Sequence, residues 1–336
     1  MNKLTKSLIK KDKSCNPIWF MRQAGRYLPE FRKIRSENSD FIKLCLNSSL
    51  SSKITLQPLE RFDLDAAIIF SDILIVPYIL GQEVNFTAGK GPKLSDFKIK
   101  TFIEQDIEKF NHDLFPIYLA IKETKKKLKS NKSLISFIGS PWTLIVYMLG
   151  LKNSTNVLNL DLIKKKQKEI DLILKNLTDF LCNHIINQIK AGADTVQIFD
   201  SWAGLIPQEK LEKYCFEPNL KIVNFCKKNK IPVICFPKGI KEKYYDFLKV
   251  VKPDGINIDY SLDPEWARKN LENVCVQGGM DPKYLLTDDN TMLNEVEKYL
   301  KIFKDTPYIF NLGHGLLPET NPDKVKKIVE FVRNYK

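Results

Sequence analysis

Four of the chain's seven arginines, Arg22, Arg26, Arg32 and Arg35, fall within a single stretch of fourteen residues. Elsewhere the basic residues are almost all lysine. The exchange matters chemically, because a guanidinium is planar, permanently charged and grips a carboxylate through two parallel hydrogen bonds. Asp72 follows the apolar run Ala66–Phe70 and is flanked by Phe70, Ile73 and Leu74. In a turn it would cap a helix. In a pocket it would accept ligand N–H groups or stabilise a developing cation. His314 stands between two glycines in Asn311-Leu-Gly-His-Gly315, where backbone and ligand can approach closely. Of the other two histidines, His112 reads as surface and His184 as an ordinary contact on a long helix. Ser201 ends another apolar run, in Phe199-Asp-Ser-Trp-Ala-Gly204. Tyr147 lies about one turn into a helix after a strand and reads either as a core aromatic or as a pocket hydroxyl.

Other chemistries lack their residues. The Ser201 context is not the G-x-S-x-G of an acyl-enzyme nucleophile. No H-x-C, C-x-x-C or H-E-x-x-H is present, so no metal is implied. There is no G-x-G-x-x-G and no P-loop. Seven cysteines, odd in number and scattered, read as reduced thiols rather than a disulfide frame.

The elements that must position these residues follow a regular alternation. Seven apolar runs end in polar or glycine-containing turns: Ala66–Phe70, Leu134–Ile138, Thr195–Phe199, Ile231–Phe236, Gly255–Ile258, Asn273–Gln277 and Tyr308–Leu312. Continuous rather than alternating hydrophobicity points to strands buried on both faces, as in a parallel sheet. Pro17–Met21 could supply an eighth. Helical spacing covers 161–190, 207–229, 240–251, 283–303 and 321–335. The pattern predicts an α/β fold, a single (β/α)8 TIM-type barrel spanning 1–336, with a doubly wound open sheet as the alternative. In such a barrel the active site lies at the C-terminal ends of the strands. The polar residues gathered there would be Asp72, Ser140, Asp200, Ser201, Lys238, Asp259, Asp281 and His314.

The formal net charge is +13 over 336 residues. Lysine runs such as Lys125–Lys127 and Lys164–Lys166 read as solvated helix faces, not as a nucleic-acid stripe with exposed aromatics. At 43% hydrophobic and 28% charged residues the chain is globular, not disordered. Its apolar stretches fall short of the roughly 20 residues a membrane span needs. Residues 1–14 hold five lysines and no signal-like apolar block. The expectation is a cytoplasmic protein with no nucleic-acid or membrane partner.

The run Pro17-Ile-Trp-Phe-Met-Arg22-Gln-Ala-Gly-Arg26-Tyr-Leu-Pro-Glu-Phe-Arg-Lys-Ile-Arg35 closely resembles the signature of the uroporphyrinogen decarboxylase family. Asp65-Ala-Ala-Ile-Ile-Phe-Ser-Asp72, Gly139-Ser-Pro-Trp, Gln197-Ile-Phe-Asp-Ser201-Trp-Ala-Gly204, Gln277-Gly-Gly-Met-Asp-Pro282 and Asn311-Leu-Gly-His314-Gly-Leu match in the family's order. The resemblance covers about residues 16 to 334. It implies a distorted (β/α)8 barrel, usually a homodimer. It also implies removal of the four acetate carboxylates of uroporphyrinogen III to give coproporphyrinogen III, with no metal or organic cofactor. By motif position the substrate-contacting residues would be Arg22, Gln23, Ala24, Gly25, Arg26, Arg35, Asp72, Tyr147, Ser201 and His314. Phe199 would line the pocket, and Asp72 and Arg22 would be catalytic. Lys238, in Phe-Pro-Lys-Gly, is a looser match with an open role.

The physics of that reaction suits these residues. A substrate bearing eight carboxylates fits a cationic protein with clustered arginines. Loss of CO2 from a pyrrole-acetate needs an electron sink, and protonating the pyrrole ring creates one within the substrate. That step requires no cofactor motif. Two rivals are a corrinoid-dependent methyltransferase, which would want a thiol-activating zinc site, and a non-enzymatic polyanion binder, which would want a basic stripe.

Overall fold

Parallel strands must each be entered from the same end, so every pair needs a long return. The computed structural model describes residues 1–87, 91–153 and 155–335. Seven strands form one parallel sheet: β1 (Ala66–Ile68), β4 (Ser133–Gly139), β5 (Thr195–Asp200), β6 (Val233–Pro237), β7 (Gly255–Ile258), β8 (Cys275–Gly278) and β9 (Tyr308–Ile309). They neighbour one another in that order. Each falls on one of the seven apolar runs, and helices run back between them. The sheet is curled, with seven parallel strands.

The Pro17–Phe20 stretch lies along both edges of this sheet. Ile18 forms a parallel bridge with Phe310. The Phe310 N–H donates to the Pro17 carbonyl at 2.8 Å. On the other side the Asp65 N–H donates to the Ile18 carbonyl, and the Ile18 N–H donates to Asp65 Oδ2, both at 2.8 Å.

Curling divides the apolar side chains into two cores. One lies between strands and helices and includes Ile138, Leu181, Ile198, Ile256 and Val325. The other lies inside the curl and includes Trp19, Met21, Ile68, Ile135, Ile234, Phe236 and Ile309. The helix Lys3–Ile9 closes the lower end by inserting Leu4 and Leu8, both fully buried. Each stabilises the fold by about 1.5–3 kcal/mol. At Gly255 a Cβ would lie 2.6 Å from Leu8 Cδ2, so glycine here leaves the plug its room.

The remaining differences from sequence expectation are local. The helix read over 161–190 breaks at Lys166 into Leu160–Lys165 and Gln167–Lys190. The helix read over 207–229 begins as a 3-10 turn, Gln208–Lys210, and a π-helical turn, Glu212–Phe216, before Glu217–Lys228. Pro218 has no N–H to donate to the carbonyl four residues back, so the ladder there takes another register. An antiparallel pair, β2 (Val84–Thr87) with β3 (Gly91–Leu94), was not legible, because each segment is only four residues long.

Candidate active site

Because the strands are parallel, the loops after them all open at one end. Asp72 follows β1, Ser140 follows β4, Ser201 follows β5, Lys238 follows β6, Asp259 follows β7, Asp281 follows β8 and His314 follows β9. The arginine-bearing turn enters the same end. Met21 N–H donates to Asn311 Oδ1 at 3.1 Å, and the Leu316 N–H donates to the Met21 carbonyl at 2.9 Å. Held on both sides by the segment around His314, the chain turns at Arg22 with φ +61°. A non-glycine residue there stores about 1 kcal/mol of strain. The turn is tight enough that a Cβ at Gly25 would lie 2.8 Å from the Arg22 carbonyl oxygen.

The Arg22 side chain runs over Gly315, where a Cβ would come within 2.4 Å of its Cδ. Its positive charge acts on Asp72, Tyr147, Lys238 and His314 together, so these five groups from five segments share one site. Burial pushes the Asp72 carboxyl up to about 6, against the opposing pull of the Leu74 N–H and Arg22. Its Oδ1 accepts from the Leu74 N–H at 2.8 Å. The turn and pocket roles read from the sequence are thus compatible: one oxygen holds the turn, and Oδ2 accepts no hydrogen bond from the described residues. Burial holds His314 down to about 4, helped by the charges of Lys238 and Arg22, so its imidazole is neutral at pH 7. Burial raises the Tyr147 hydroxyl, which therefore keeps its proton and can donate.

Below these groups the surface is apolar. Phe199 packs edge-on against Phe137 at 5.7 Å and Phe236 at 6.4 Å between ring centroids. Deeper still lies a buried amide network. Trp19 Nε1 donates to Gln277 Oε1 at 2.9 Å, and Gln277 Nε2 donates to Gln197 Oε1 at 3.0 Å and Asn257 Oδ1 at 2.7 Å. Every hydrogen-bonding group of the Gln277 side chain is used, which ties β5, β7 and β8 to the Pro17–Phe20 stretch at fixed spacing. The site is therefore a cationic mouth with Arg22 exposed and Lys238 half-buried, one partly free carboxylate and an aromatic floor. That combination suits a large anionic ligand carrying N–H donors.

The pattern of the family described as uroporphyrinogen decarboxylase (URO-D) matches residues 1–335. The uroporphyrinogen decarboxylase of Rickettsia felis is 40% identical over 333 residues, covering 97% of this chain and 95% of that protein. That of Orientia tsutsugamushi (strain Ikeda) is 41% identical over 342 residues, covering 100% and 99%. The chain belongs to the uroporphyrinogen decarboxylase family. The resemblance read from the motifs is borne out, and with it the role of a carboxy-lyase in porphyrin biosynthesis. Among solved structures, a methyltransferase from Methanosarcina mazei superposes with a TM-score of 0.77 over 99% of this chain and 97% of its own. At 15% identity that likeness concerns the fold alone.

Against the residues expected for a uroporphyrinogen decarboxylase, the structure sorts the N-terminal motif by direction. Arg26 is exposed, and its guanidinium has no partner among the described residues. Arg35 and Asp72 both act on the Cys45 thiol, and the Arg35 guanidinium sits 5.6 Å from the Phe41 ring centroid and donates to the Asn38 carbonyl. Arg32 instead donates to the carbonyls of Arg26 at 2.8 Å and Tyr27 at 3.0 Å, so it braces the loop. Gln23 is fully buried, donates to the Ala66 carbonyl at 3.0 Å and accepts from the Phe20 N–H. Its side chain positions the motif rather than lining the mouth. Ala24, Gly25 and Ser201 are half-buried in the adjoining loops. Two residues were missed. Trp202 packs edge-on against Tyr147 at 5.9 Å, and Lys152 Nζ sits 4.4 Å from the Trp202 ring centroid. The neighbouring Ser201 was a signal for the first. Nothing local in the sequence marks the second.

His184 behaves as an ordinary contact: Nδ1 lies 3.0 Å from the Tyr118 hydroxyl, in a buried setting. Burial holds it down to about 3, from an ordinary 6.5. The unfolded chain therefore takes up a proton near 6.5 that the folded protein refuses, and stability falls with pH from there toward 3. His184→Gln should make the loss of unfolding free energy below pH 6.5 shallower by about 1.4 kcal/mol per pH unit in denaturant titrations. An unchanged slope would place the acid-sensitive group elsewhere.

Among the described residues no group of three His, Cys, Asp or Glu side chains is arranged to hold a metal ion. No helix among them is long and apolar enough to cross a membrane.

Proposed function

We propose that this chain removes the four acetate carboxylates of uroporphyrinogen III to give coproporphyrinogen III, without metal or organic cofactor. The observation that carries this reading is Asp72, desolvated and within reach of the Arg22 charge, with Oδ2 accepting no hydrogen bond from the described residues. The reduced macrocycle directs its pyrrole N–H groups inward, so a single carboxylate can accept from several at once. Protonation of a pyrrole carbon next to the acetate makes the ring cationic. The bond to the carboxylate then breaks, CO2 leaves, and the electron pair flows into the ring. Addition of a proton to the resulting methylene and loss of the ring proton leave a methyl group, with one proton consumed per acetate.

Asp72 faces the cation that forms, and its negative charge gains strength because water is largely excluded. Arg22, as a permanent cation, orients the carboxylate that will leave, and a water held at its guanidinium delivers the proton. Arg26 and Arg35 hold outer carboxylates of the substrate. Tyr147, Ser201 and His314 offer hydrogen bonds, and Phe199 supports the macrocycle face. The loops at Gln23, Ala24 and Gly25 complete the contact.

We also read Pro17–Phe20 as the eighth strand of a (β/α)8 barrel, because it bonds to both Phe310 and Asp65. A single domain over 1–336, a homodimer and a cytoplasmic location complete the proposal. The hydrogen bonds that span the first and last strands support the single domain.

The test is anaerobic incubation with uroporphyrinogen III, followed by oxidation and separation of products by carboxylate number. Species with seven, six, five and then four carboxylates are expected in succession. No loss of carboxylate by folded protein would overturn the proposal. Methyl transfer, the rival reading raised from the sequence, would then be assayed next.

A further inference from the structure

Lys238 is not among the residues that the family motif assigns. It stands at the end of β6 and is half-buried. Its backbone is held from three directions. The Lys238 N–H donates to the Asp200 carbonyl at 3.1 Å, and its carbonyl accepts from the Gly204 N–H at 2.9 Å. The next residue, Gly239, has φ +82° and donates its N–H to Asp259 Oδ2 at 2.7 Å. A Cβ on Gly204 would lie 2.6 Å from the Gly239 oxygen, so the two loops touch backbone to backbone. This is a rigid mount for a flexible side chain.

The ammonium at its tip is unsatisfied. Among the described residues Lys238 Nζ has no hydrogen-bond or ion-pair partner. Asp259 is the carboxylate whose charge reaches it, and that carboxylate is already committed. Its Oδ2 accepts from the Gly239 N–H and from the Tyr244 hydroxyl at 3.0 Å, and its Oδ1 accepts from the Ser261 N–H and hydroxyl. Arg22 also acts on Lys238, and both act on His314. Two like charges and a neutral imidazole are thus gathered in a partly desolvated mouth. Such a grouping is unfavourable alone and becomes favourable when an anion sits between the charges.

We propose that Lys238 is a further substrate-binding residue, whose ammonium takes one carboxylate of the porphyrinogen beside Arg22 and His314. This rests on the decarboxylase reading for the identity of the ligand, though not for its being an anion. The mount places the charge at the strand-end mouth, and Asp72 is not among the charges that act on it. Lys238 therefore contributes to holding the macrocycle rather than to the bond that breaks.

The test compares wild type, Lys238→Met and Lys238→Arg in two measurements. One is steady-state decarboxylation of uroporphyrinogen III. The other is equilibrium binding of coproporphyrin, the stable oxidised tetracarboxylate, followed by fluorescence. Lys238→Met keeps the apolar stem and loses the charge, so KM and the coproporphyrin Kd should rise about tenfold or more, with kcat changed by less than about threefold. Lys238→Arg should recover most of the loss. Unchanged KM and Kd in Lys238→Met would overturn the inference. So would equal defects in Lys238→Met and Lys238→Arg accompanied by a lowered Tm, which would mark a structural lysine. If wild type binds coproporphyrin through Lys238 yet releases no CO2, the decarboxylase reading fails and this inference stands.

Discussion

Asp72→Asn yields a folded protein whose turnover of uroporphyrinogen falls by about three orders of magnitude. The amide keeps an oxygen for the Leu74 N–H, so the turn after β1 survives. It loses the negative charge that faces the forming ring cation. The same change should raise stability. The folded protein holds the Asp72 proton up to about 6, against 3.8 for an ordinary aspartate. Ionising it therefore costs stability progressively as pH rises from about 4 to 6, and the full cost is present above that. A shift of this size is worth about 3 kcal/mol for a group no solvent reaches, and partial exposure brings it nearer about 2 kcal/mol. At pH 7.5 Asp72→Asn should unfold at higher denaturant than wild type while being nearly inactive. Wild-type activity should also decline on the acid side with a midpoint near 6, as the carboxylate takes up its proton. Near-normal turnover in Asp72→Asn would sink the charge-stabilisation argument. Asp72→Glu should be poor as well, because one more methylene misplaces the carboxylate.

Gly315→Ala is expected to cost about a hundredfold in kcat/KM with little change in Tm. The added methyl would lie 2.4 Å from Arg22 Cδ and 2.7 Å from Cγ, closer than carbon atoms approach. The Arg22 backbone is pinned through Met21 to Asn311 and Leu316, so the guanidinium must swing instead. Solvent-exposed Arg22 can move without disturbing the core, which is why the loss should fall on activity. Gly313→Ala supplies the contrast. There the methyl would meet the Tyr260 N at 2.3 Å and the Asp259 carbonyl carbon at 2.8 Å, both backbone. It should lower Tm sharply. Gly315→Ala with wild-type kcat/KM would show that the Arg22 conformation is not needed for turnover.

Much of the architecture was legible because buried parallel strands are written as unbroken apolar runs, such as Thr195–Phe199. The exceptions have local causes. Lys166 interrupts a helix that its apolar periodicity continues, and Pro218 shifts the ladder of another. The pair β2 and β3 has only four residues a strand, too few for a period of two to stand out. The arginine cluster was legible as a site, but not its internal division. Arg32 braces carbonyls of its own loop, and Arg22 governs the mouth, although both are the same residue type ten positions apart.

By itself, the sequence determined the strand and helix alternation, the family and the residue types gathered at the strand ends. These depend on periodicity and on motifs contiguous in the chain. Tertiary structure alone decided which charges act on one another. Arg22, Asp72, Tyr147, Lys238 and His314 are spread over nearly 300 positions, and only the curl of the sheet brings their loops to one end. It also decided protonation, because desolvation is a property of surroundings rather than of a residue. The same burial that leaves Asp72 near 6 holds His314 near 4, and neither direction is written in the neighbouring sequence.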